Sequence, residues 1–288
     1  MRIAVLSGKG GTGKTTVAAS LAACVSDSQY ADCDVEEPNG FIFLKPELTQ
    51  AIDVRVRVPE VDKQLCTGCG ACARICQFNA LAVVKGKVLV FPELCHHCGA
   101  CLLVCQPGAL HEVERSIGLV EANGQGTFYQ GRLNIGEPTG IPIIETIKQR
   151  LDPCRPAILD CSPGAACAVV KSLEDCDAAV LVTEPTPFGL HDLAIAAELT
   201  RRMGIPAGVV INKADPDEQT ARRFCRSIHL PVLMEIPFSR SIAEQYARGR
   251  LPVQTDPAWR DLFLRLYDAV CQLPLASGSQ TARTEVTP

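Results

Sequence analysis

The sequence predicts an α/β fold: a doubly wound, mostly parallel sheet with helices on both faces, interrupted by a smaller inserted α+β unit. Three observations carry this expectation. A glycine-rich loop, Gly8–Thr16, follows a short apolar strand and precedes an Ala/Leu-rich helix. From residue 157 onward, short apolar runs alternate with helical stretches, the pattern of βα units that build parallel sheets. Between these regions, eight of the sixteen cysteines crowd into Cys66–Cys105, a shift in composition that marks a separate unit.

Bulk properties bound the reading. The 288 residues suit roughly two domains, and 47% hydrophobic with 21% charged residues is an ordinary soluble composition. A net charge of −4 argues against a general nucleic-acid surface. No apolar run approaches the ~18–20 residues needed to span a bilayer, and the chain enters a strand directly. A cytoplasmic location is therefore expected, with neither a membrane nor a nucleic acid as partner. Sixteen cysteines in such a chain point to metal or redox chemistry in preference to disulfides.

In chain order, residues 2–7 read as a strand and 14–25 as a helix. The loop between them fits G-x-x-x-x-G-K-[ST] at Gly8, Gly13, Lys14 and Thr15. Gly8, Gly10, Gly11 and Gly13, with Thr12 among them, let the backbone wrap so that its N–H groups face a phosphate chain. Lys14 would reach the terminal phosphates, Thr15 would place a hydroxyl on Mg²⁺, and Thr16 continues the helix start, whose positive end adds to the anion site. ATP or ADP with Mg²⁺ is the expected ligand. Residues 28–33 form a second strand ending in Asp32-Cys33-Asp34. Aspartates two apart point the same way off a strand, here toward the γ-phosphate.

Cys66, Cys69, Cys72 and Cys76 follow C-x2-C-x2-C-x3-C, and the spacing recurs 29 residues later at Cys95, Cys98, Cys101 and Cys105. This duplication is the pattern of bacterial two-cluster ferredoxins, in which each run's fourth cysteine serves the other cluster. One [4Fe–4S] cluster is thereby assigned to Cys66, Cys69, Cys72 and Cys105, the second to Cys95, Cys98, Cys101 and Cys76. Zinc commonly takes two C-x2-C pairs, so a triple-plus-one repeat favours iron–sulfur. Ferredoxins place Pro directly after the fourth cysteine; here Gln77 and Gln106 stand there, with Pro107 one place late. That departure leaves ligation intact but changes the turn. His96 and His97 are expected as solvated loop residues.

The rest returns to α/β alternation. Residues 53–59 alternate Val and Arg as a strand does, 112–136 suggest a hairpin returning from the insert, and 142–152 an amphipathic helix. Strand 157–160 ends in Asp160, followed by Cys161-Ser162-Pro163-Gly164. Strand 179–182 precedes a helix to about residue 203; strand 208–211 ends at Asn212-Lys213; a helix covers 217–228; strand 232–236 runs into Pro237. Helices follow at 241–248 and 257–273. The nucleotide domain is expected as 1–59 with 112–275, the two-cluster insert as 60–111, and 276–288 as a disordered tail. The other cysteines (Cys24, Cys33, Cys154, Cys161, Cys167, Cys176, Cys225, Cys271) are expected as small core hydrophobes.

Lys9 makes the loop more specific. Standing five residues before Lys14 in Lys-Gly-Gly-Thr-Gly-Lys, it gives the deviant Walker A signature, and the chain resembles the MinD/ParA/Mrp ATPases, which share their fold with the nitrogenase iron protein. Within that superfamily it is similar to the Mrp-like proteins that carry an inserted two-cluster ferredoxin domain. The resemblance implies a nucleotide-sandwich dimer in which Lys9 reaches the phosphates of the other subunit. It further implies that Asp34 positions the attacking water with Asp32 in support, that Asp160 holds Mg²⁺ through water, and that Gly164 offers its N–H to the γ-phosphate. Asn212 would meet adenine with its side chain, and Pro237 would meet the base with its backbone. The implied function is slow Mg-ATP hydrolysis by a homodimer, or a heterodimer with a related ATPase, gating electron transfer to a redox partner. The alternative is a carrier or scaffold that delivers clusters or metal cofactors to an apo-protein client. Membrane positioning of the MinD kind lacks a basic amphipathic tail helix, and Arg201-Arg202 and Arg222-Arg223 read as solvated helix faces.

Overall fold

A computed structural model describes residues 1–215, 217 and 219–274; the expected tail, 276–288, lies outside the described residues. The first half of the chain forms β1 (Arg2–Leu6), α1 (Lys14–Cys24), β2 (Gln29–Asp32), α2 (Phe41–Leu44), β3 (Leu48–Val61), α3 (Ala71–Ile75), β4 (Leu81–Val84), β5 (Lys87–Val90), α4 (Ala100–Leu103), β6 (Leu110–Asn123) and β7 (Phe128–Leu133). The second half forms α5 (Ile141–Arg150), β8 (Ala157–Asp160), α6 (Cys167–Leu173), β9 (Ala178–Thr183), α7 (Pro187–Arg202), β10 (Ala207–Ala214), α8 (Thr220–Ser227), β11 (Val232–Pro237), α9 (Arg240–Ala247) and α10 (Pro257–Cys271).

Nine strands build one sheet in the order β11-β10-β9-β1-β8-β2-β7-β6-β3. Every pair from β11 to β7 is parallel, and β6 and β3 close the edge antiparallel. The central strands are continuous apolar runs because both of their faces are covered: Ile3–Leu6, Ile158, Leu159 and Ala179–Leu181 have no exposed surface. One face packs Ile3, Val5, Ile158 and Val180 against Val17 and Leu21 of α1 and Phe263 and Leu266 of α10. The other packs Leu6, Leu159 and Leu181 against α5, α6 and α7 through Ile143, Ile147, Val169, Leu173 and Leu193. Two layers of helices around one sheet are the doubly wound architecture.

The parallel strands all end at one sheet edge, where Ser7, Asp32, Asp160 and Thr183 follow or close β1, β2, β8 and β9, and Asn212 lies near the end of β10. The cysteine-rich insert hangs from this same edge. β7 runs parallel to β2, its last residue, Leu133, pairs with Gly118 of β6, and β6 runs on antiparallel beside β3 up to the pair Val61↔Leu110. About eight residues of each strand therefore project past the edge, roughly 25 Å at the rise of a strand. Val54, Val56 and Val58 are buried while Arg55 and Arg57 face solvent beside Glu114 and Glu112, the alternation of a half-buried ribbon.

Several expectations shift. The ladder runs two residues past the expected boundaries at 59 and 112, and β3 starts at Leu48, five residues before the expected strand at 53. Helices α2 and α6 escaped the sequence reading; at four and seven residues both are too short for a helical period to show. Among the described residues no helix is long and apolar enough to cross a membrane.

Candidate functional site

The loop Gly8–Thr16 lies at the sheet edge, and α1 begins at Lys14 on a left-handed Gly13 (φ 92°). A Cβ on Gly13 would collide with the Asn212 amide, and one on Gly8 with Asp192 of α7, so loop, β10 and α7 meet at backbone distance. Gly10 and Gly11 instead face open space, with nothing within 4 Å of a Cβ placed there. The Asn212 Nδ2 donates to the Thr12 carbonyl at 2.7 Å, fastening the loop to β10, and the Lys213 N–H donates to Asn212 Oδ1 at 2.9 Å. Asn212 is thus engaged by the loop itself, beyond the base contact expected of it. The Thr12 hydroxyl is buried without a partner, and Thr15 and Thr16 are half-buried at the helix start. Such a cradle fits a phosphate chain: open amide-lined space, a helix N-terminus and an unsatisfied hydroxyl.

Beneath the loop lies a cluster of charge. Lys14 Nζ contacts Asp160 Oδ1 directly and stands 3.9 Å from Asp34 Oδ2. Burial opposes the Lys14 charge, yet Asp160, Asp34 and Asp32 outweigh it, and its pKa is raised. Asp32 and Asp160, register neighbours on β2 and β8, are both fully buried. Asp32 accepts N–H bonds from Asp34 (3.2 Å), Asn39 (3.1 Å) and Gly40 (2.9 Å), tying the segment after β2 to the sheet. Burial first, and then the Asp160 charge, push Asp32 up to about 7. Burial likewise pushes Asp34 up to about 6, against the pull of Lys14. One lysine therefore faces three carboxylates, an excess of acid that suits the arrival of a divalent cation.

Two expected groups are engaged elsewhere within the subunit. Lys9 Nζ lies 3.9 Å from Glu184 Oε2, whose other oxygen accepts from Lys213 Nζ at 2.6 Å. The Gly164 N–H donates to the Ser7 carbonyl at 2.8 Å, with Gly164 at φ 92°. Offering either group to a phosphate requires release from these partners.

Beside the loop opens a pocket walled by Val17, Pro237, Phe238, Ile242, Tyr246 and Trp259, with Gly13, Thr16 and Asn212 at its mouth. Asn212 and Pro237, the two residues expected at the base, line one cavity, and its walls are mostly apolar. Phe238 adjoins the expected Pro237, whereas Tyr246 and Trp259 had no signal in the sequence, because α9 and α10 bring them from farther along the chain.

In the insert, Cys76, Cys95, Cys98 and Cys101 line one cavity together with Phe78 and His96. The fourth thiol of the first run thus joins the first three of the second. Burial raises the Cys72 thiol, with Cys105 and Cys66 adding to the shift, so Cys105 of the second run stands with the first. Burial pushes Cys101 up to about 11, with Cys95 adding. The His97 N–H points at Cys95 Sγ, 3.4 Å away. Cys69 and Cys98 are exposed. Among the described residues no three of His, Cys, Asp and Glu meet closely enough for a single metal ion; the thiols surround a space.

Two expectations need correction. His97 is no solvated loop residue: its Nε2 is buried without a partner and burial lowers its pKa, because the loop folds it toward Glu137 and Arg115. His96 stacks on Phe78 with ring centroids 3.8 Å apart. Of the scattered cysteines, Cys24, Cys33, Cys161 and Cys225 are buried, but Cys154, Cys167 and Cys271 are exposed, since each sits at a turn or a helix end. Sequence reasoning also missed Tyr30, which looks like any core aromatic, and the bidentate Arg115–Glu137 pair (2.8 and 2.6 Å), whose partners meet only through the β6–β7 hairpin.

The comparisons with known proteins agree with this fold. The protein MJ0579 of Methanocaldococcus jannaschii, uncharacterized, is 30% identical over 257 residues, covering 86% of this chain and 90% of its own. A second uncharacterized protein of that organism, MJ0578, is 34% identical over 220 residues, 74% of this chain and 78% of its own. The solved structure of the septum site-determining protein MinD from Pyrococcus horikoshii, complexed with Mg-ADP, shares the fold with a TM-score of 0.55 at 18% identity, over 94% of this chain and 96% of that one. The model of the CobQ/CobB/MinD/ParA nucleotide binding domain matches residues 3–253, and the chain belongs to that family of P-loop nucleotide-binding proteins.

Proposed function

We propose that this protein is a Mg-ATP-binding and hydrolysing dimeric switch whose nucleotide cycle gates electron transfer through two [4Fe–4S] clusters to a redox partner. One observation carries the reading: the cysteine-rich insert projects from the same sheet edge that holds the phosphate loop. A second subunit closing over the nucleotide would close beside it. The bound Mg-ADP of the Pyrococcus MinD supports the choice of ligand.

In this reading Lys14 would leave Asp160 for the β- and γ-phosphates, and Thr15, with its hydroxyl, and Asp160, through water, would hold Mg²⁺. Asp34, freed from Lys14, orients the attacking water. Lys9 leaves Glu184 to complete the partner subunit's site, and Gly164 exchanges the Ser7 carbonyl for the γ-phosphate. Asn212 and Pro237 border the base. Cys66, Cys69, Cys72 and Cys105 would hold one cluster, and Cys95, Cys98, Cys101 and Cys76 the other; four thiols around a space, with a backbone N–H aimed at one sulfur, suit a cubane better than a single ion. The clusters supply one-electron chemistry and the protein supplies their spacing and burial. Exposure of Cys69 and Cys98 favours a second reading, delivery of a cluster to an apo-protein client.

The test is EPR of anaerobically purified protein during reduction and reoxidation, with and without ATP. ATP is expected to change the rates in the wild type but not in Lys14→Ala. Rates indifferent to both would overturn gating, and transfer of iron and sulfide to an apo-acceptor would favour the carrier.

A further inference from the structure

Asp160 is held by two donors, and the proposed cycle removes one of them. Lys14 contacts Oδ1; the Tyr30 hydroxyl donates to Oδ2 at 2.8 Å. Tyr30 sits on β2, a register neighbour of Ile158 on the strand that carries Asp160, and is 1% exposed. Its ring stacks on Phe128 of β7 with centroids 5.4 Å apart, which leaves the hydroxyl little freedom. On the far side, a Cβ at Gly40 would collide with the hydroxyl, so the segment carrying Asp34 packs directly on the same group. Asp32 needs no help from Tyr30, having three backbone donors of its own. A buried phenol with a single hydrogen bond, made to the carboxylate that faces the phosphate site, has a more specific role than filling the core.

We infer that Tyr30 is the positioning residue of Asp160: it fixes Oδ2 so that Oδ1 is the oxygen passed from Lys14 to the water shell of Mg²⁺. Once Lys14 moves to the phosphates, the Tyr30 bond is the remaining side-chain restraint on this carboxylate. Without it the carboxylate rotates in a site crowded by Asp32 and Asp34, and the metal loses an oriented acceptor. Hydrogen bonds to charged groups are strong enough for this to matter. The inference rests on the proposed Mg-nucleotide site and names the residue that makes the site metal-dependent.

The test is ADP affinity by titration calorimetry, with Mg²⁺ and with EDTA. In Tyr30→Phe the gain in affinity conferred by Mg²⁺ should fall about tenfold, while affinity in EDTA stays within about twofold of wild type. Gly40→Ala, which crowds the hydroxyl while keeping the N–H that Gly40 donates to Asp32, should lower the Mg²⁺ gain in the same way and serves if Tyr30→Phe does not fold. Phe128→Leu keeps the hydroxyl while loosening the ring, so it should lower the unfolding temperature yet preserve the gain. An unchanged Mg²⁺ gain in Tyr30→Phe, or an equal loss with and without metal, overturns the role. Wild-type ADP binding that ignores Mg²⁺ overturns it too. A wild type that binds no ADP under either condition refutes the nucleotide site itself, and the inference falls with it.

Discussion

Replacing the phosphate-loop lysine is the standard way to silence such a site, and in this protein it should also unsettle the fold. Lys14 is buried, 7% of its side chain exposed, against Asp160, which is 0% exposed, with Asp34 at 3.9 Å. Lys14→Met keeps the aliphatic body and removes the charge. Three carboxylates then share a buried site with no cation, and breaking a buried ion pair by removing one partner costs about 3–5 kcal/mol. For a chain of this size the unfolding temperature should drop by roughly 6–15 °C. The sign with pH follows from the groups themselves. The Lys14 pKa is raised, so its favourable contribution is present at every pH below the lysine range. Asp32 and Asp34 have folded pKa values above their unfolded ones, about 7 and about 6, so the folded state binds more protons and stability falls as pH rises through that window. The variant's deficit should therefore be larger at pH 8 than at pH 5. Asp160→Asn, added to Lys14→Met, removes the stranded charge and should recover about half of the loss. Denaturant unfolding of the nucleotide-free proteins at both pH values provides the measurement. A Lys14→Met protein as stable as wild type at pH 8, or one that the second substitution destabilises further, would refute the reasoning.

The remaining predictions are shorter. Gly13→Ala forces a Cβ onto a φ of 92° and into the Asn212 amide, so nucleotide binding should fall at least tenfold, whereas Gly10→Ala meets open space and should keep the fold, as calorimetry and circular dichroism will show. Cys76→Ala should remove the second cluster alone, taking bound iron from about eight to about four per chain with one EPR signal kept; loss of both clusters would contradict the assignment. Asp34→Asn removes a carboxyl whose pKa is about 6 in the folded state. The nucleotide-free protein should gain about 1–2 kcal/mol at pH 8 and nothing at pH 4, by chemical unfolding at the two values.

What the sequence made legible was local. The cradle at Gly8–Thr16 needs its glycines in one stretch, the two cysteine runs state their own spacing, and the apolar runs Ile3–Leu6, Ala157–Leu159 and Ala178–Val182 report strands buried on both faces. Contacts joining distant segments left no trace. Nothing in Gln-Tyr-Ala-Asp says that Tyr30 points at a residue 130 positions away. Glu184 follows β9 in a Thr-Glu-Pro turn and reads as a solvated acid, although only 13% of its side chain is exposed between Lys9 and Lys213. The β3–β6 pairing was hidden for another reason. Leu48–Ile52 is mostly exposed, so the half of β3 nearest its start lacks the alternation that betrays a strand.

The nucleotide edge and the insert are joined by short, directional links. The Val35 carbonyl, one residue past Asp34, accepts from the Leu133 N–H at 2.8 Å, and the Asn134 N–H donates to the Ile117 carbonyl of β6 at 2.9 Å. Glu137, in the same loop and with 4% of its side chain exposed, holds Arg115 on the projecting part of β6. Glu137 and Arg115 both act on His97, whose N–H faces Cys95. A movement of the segment after β2 therefore cannot be absorbed by slack at the end of β7, which is clamped on both sides. Spatial contiguity alone does not establish coupling; an element with two arrangements is also required. In the proposed cycle the Lys14–Asp160 pair would provide one, because the lysine cannot serve Asp160 and the phosphates fully at once. Asp34 lies within reach of Lys14 and precedes Val35, whose carbonyl meets Leu133, so in the proposed cycle it would be the residue through which a change at the phosphates first reaches the cysteines.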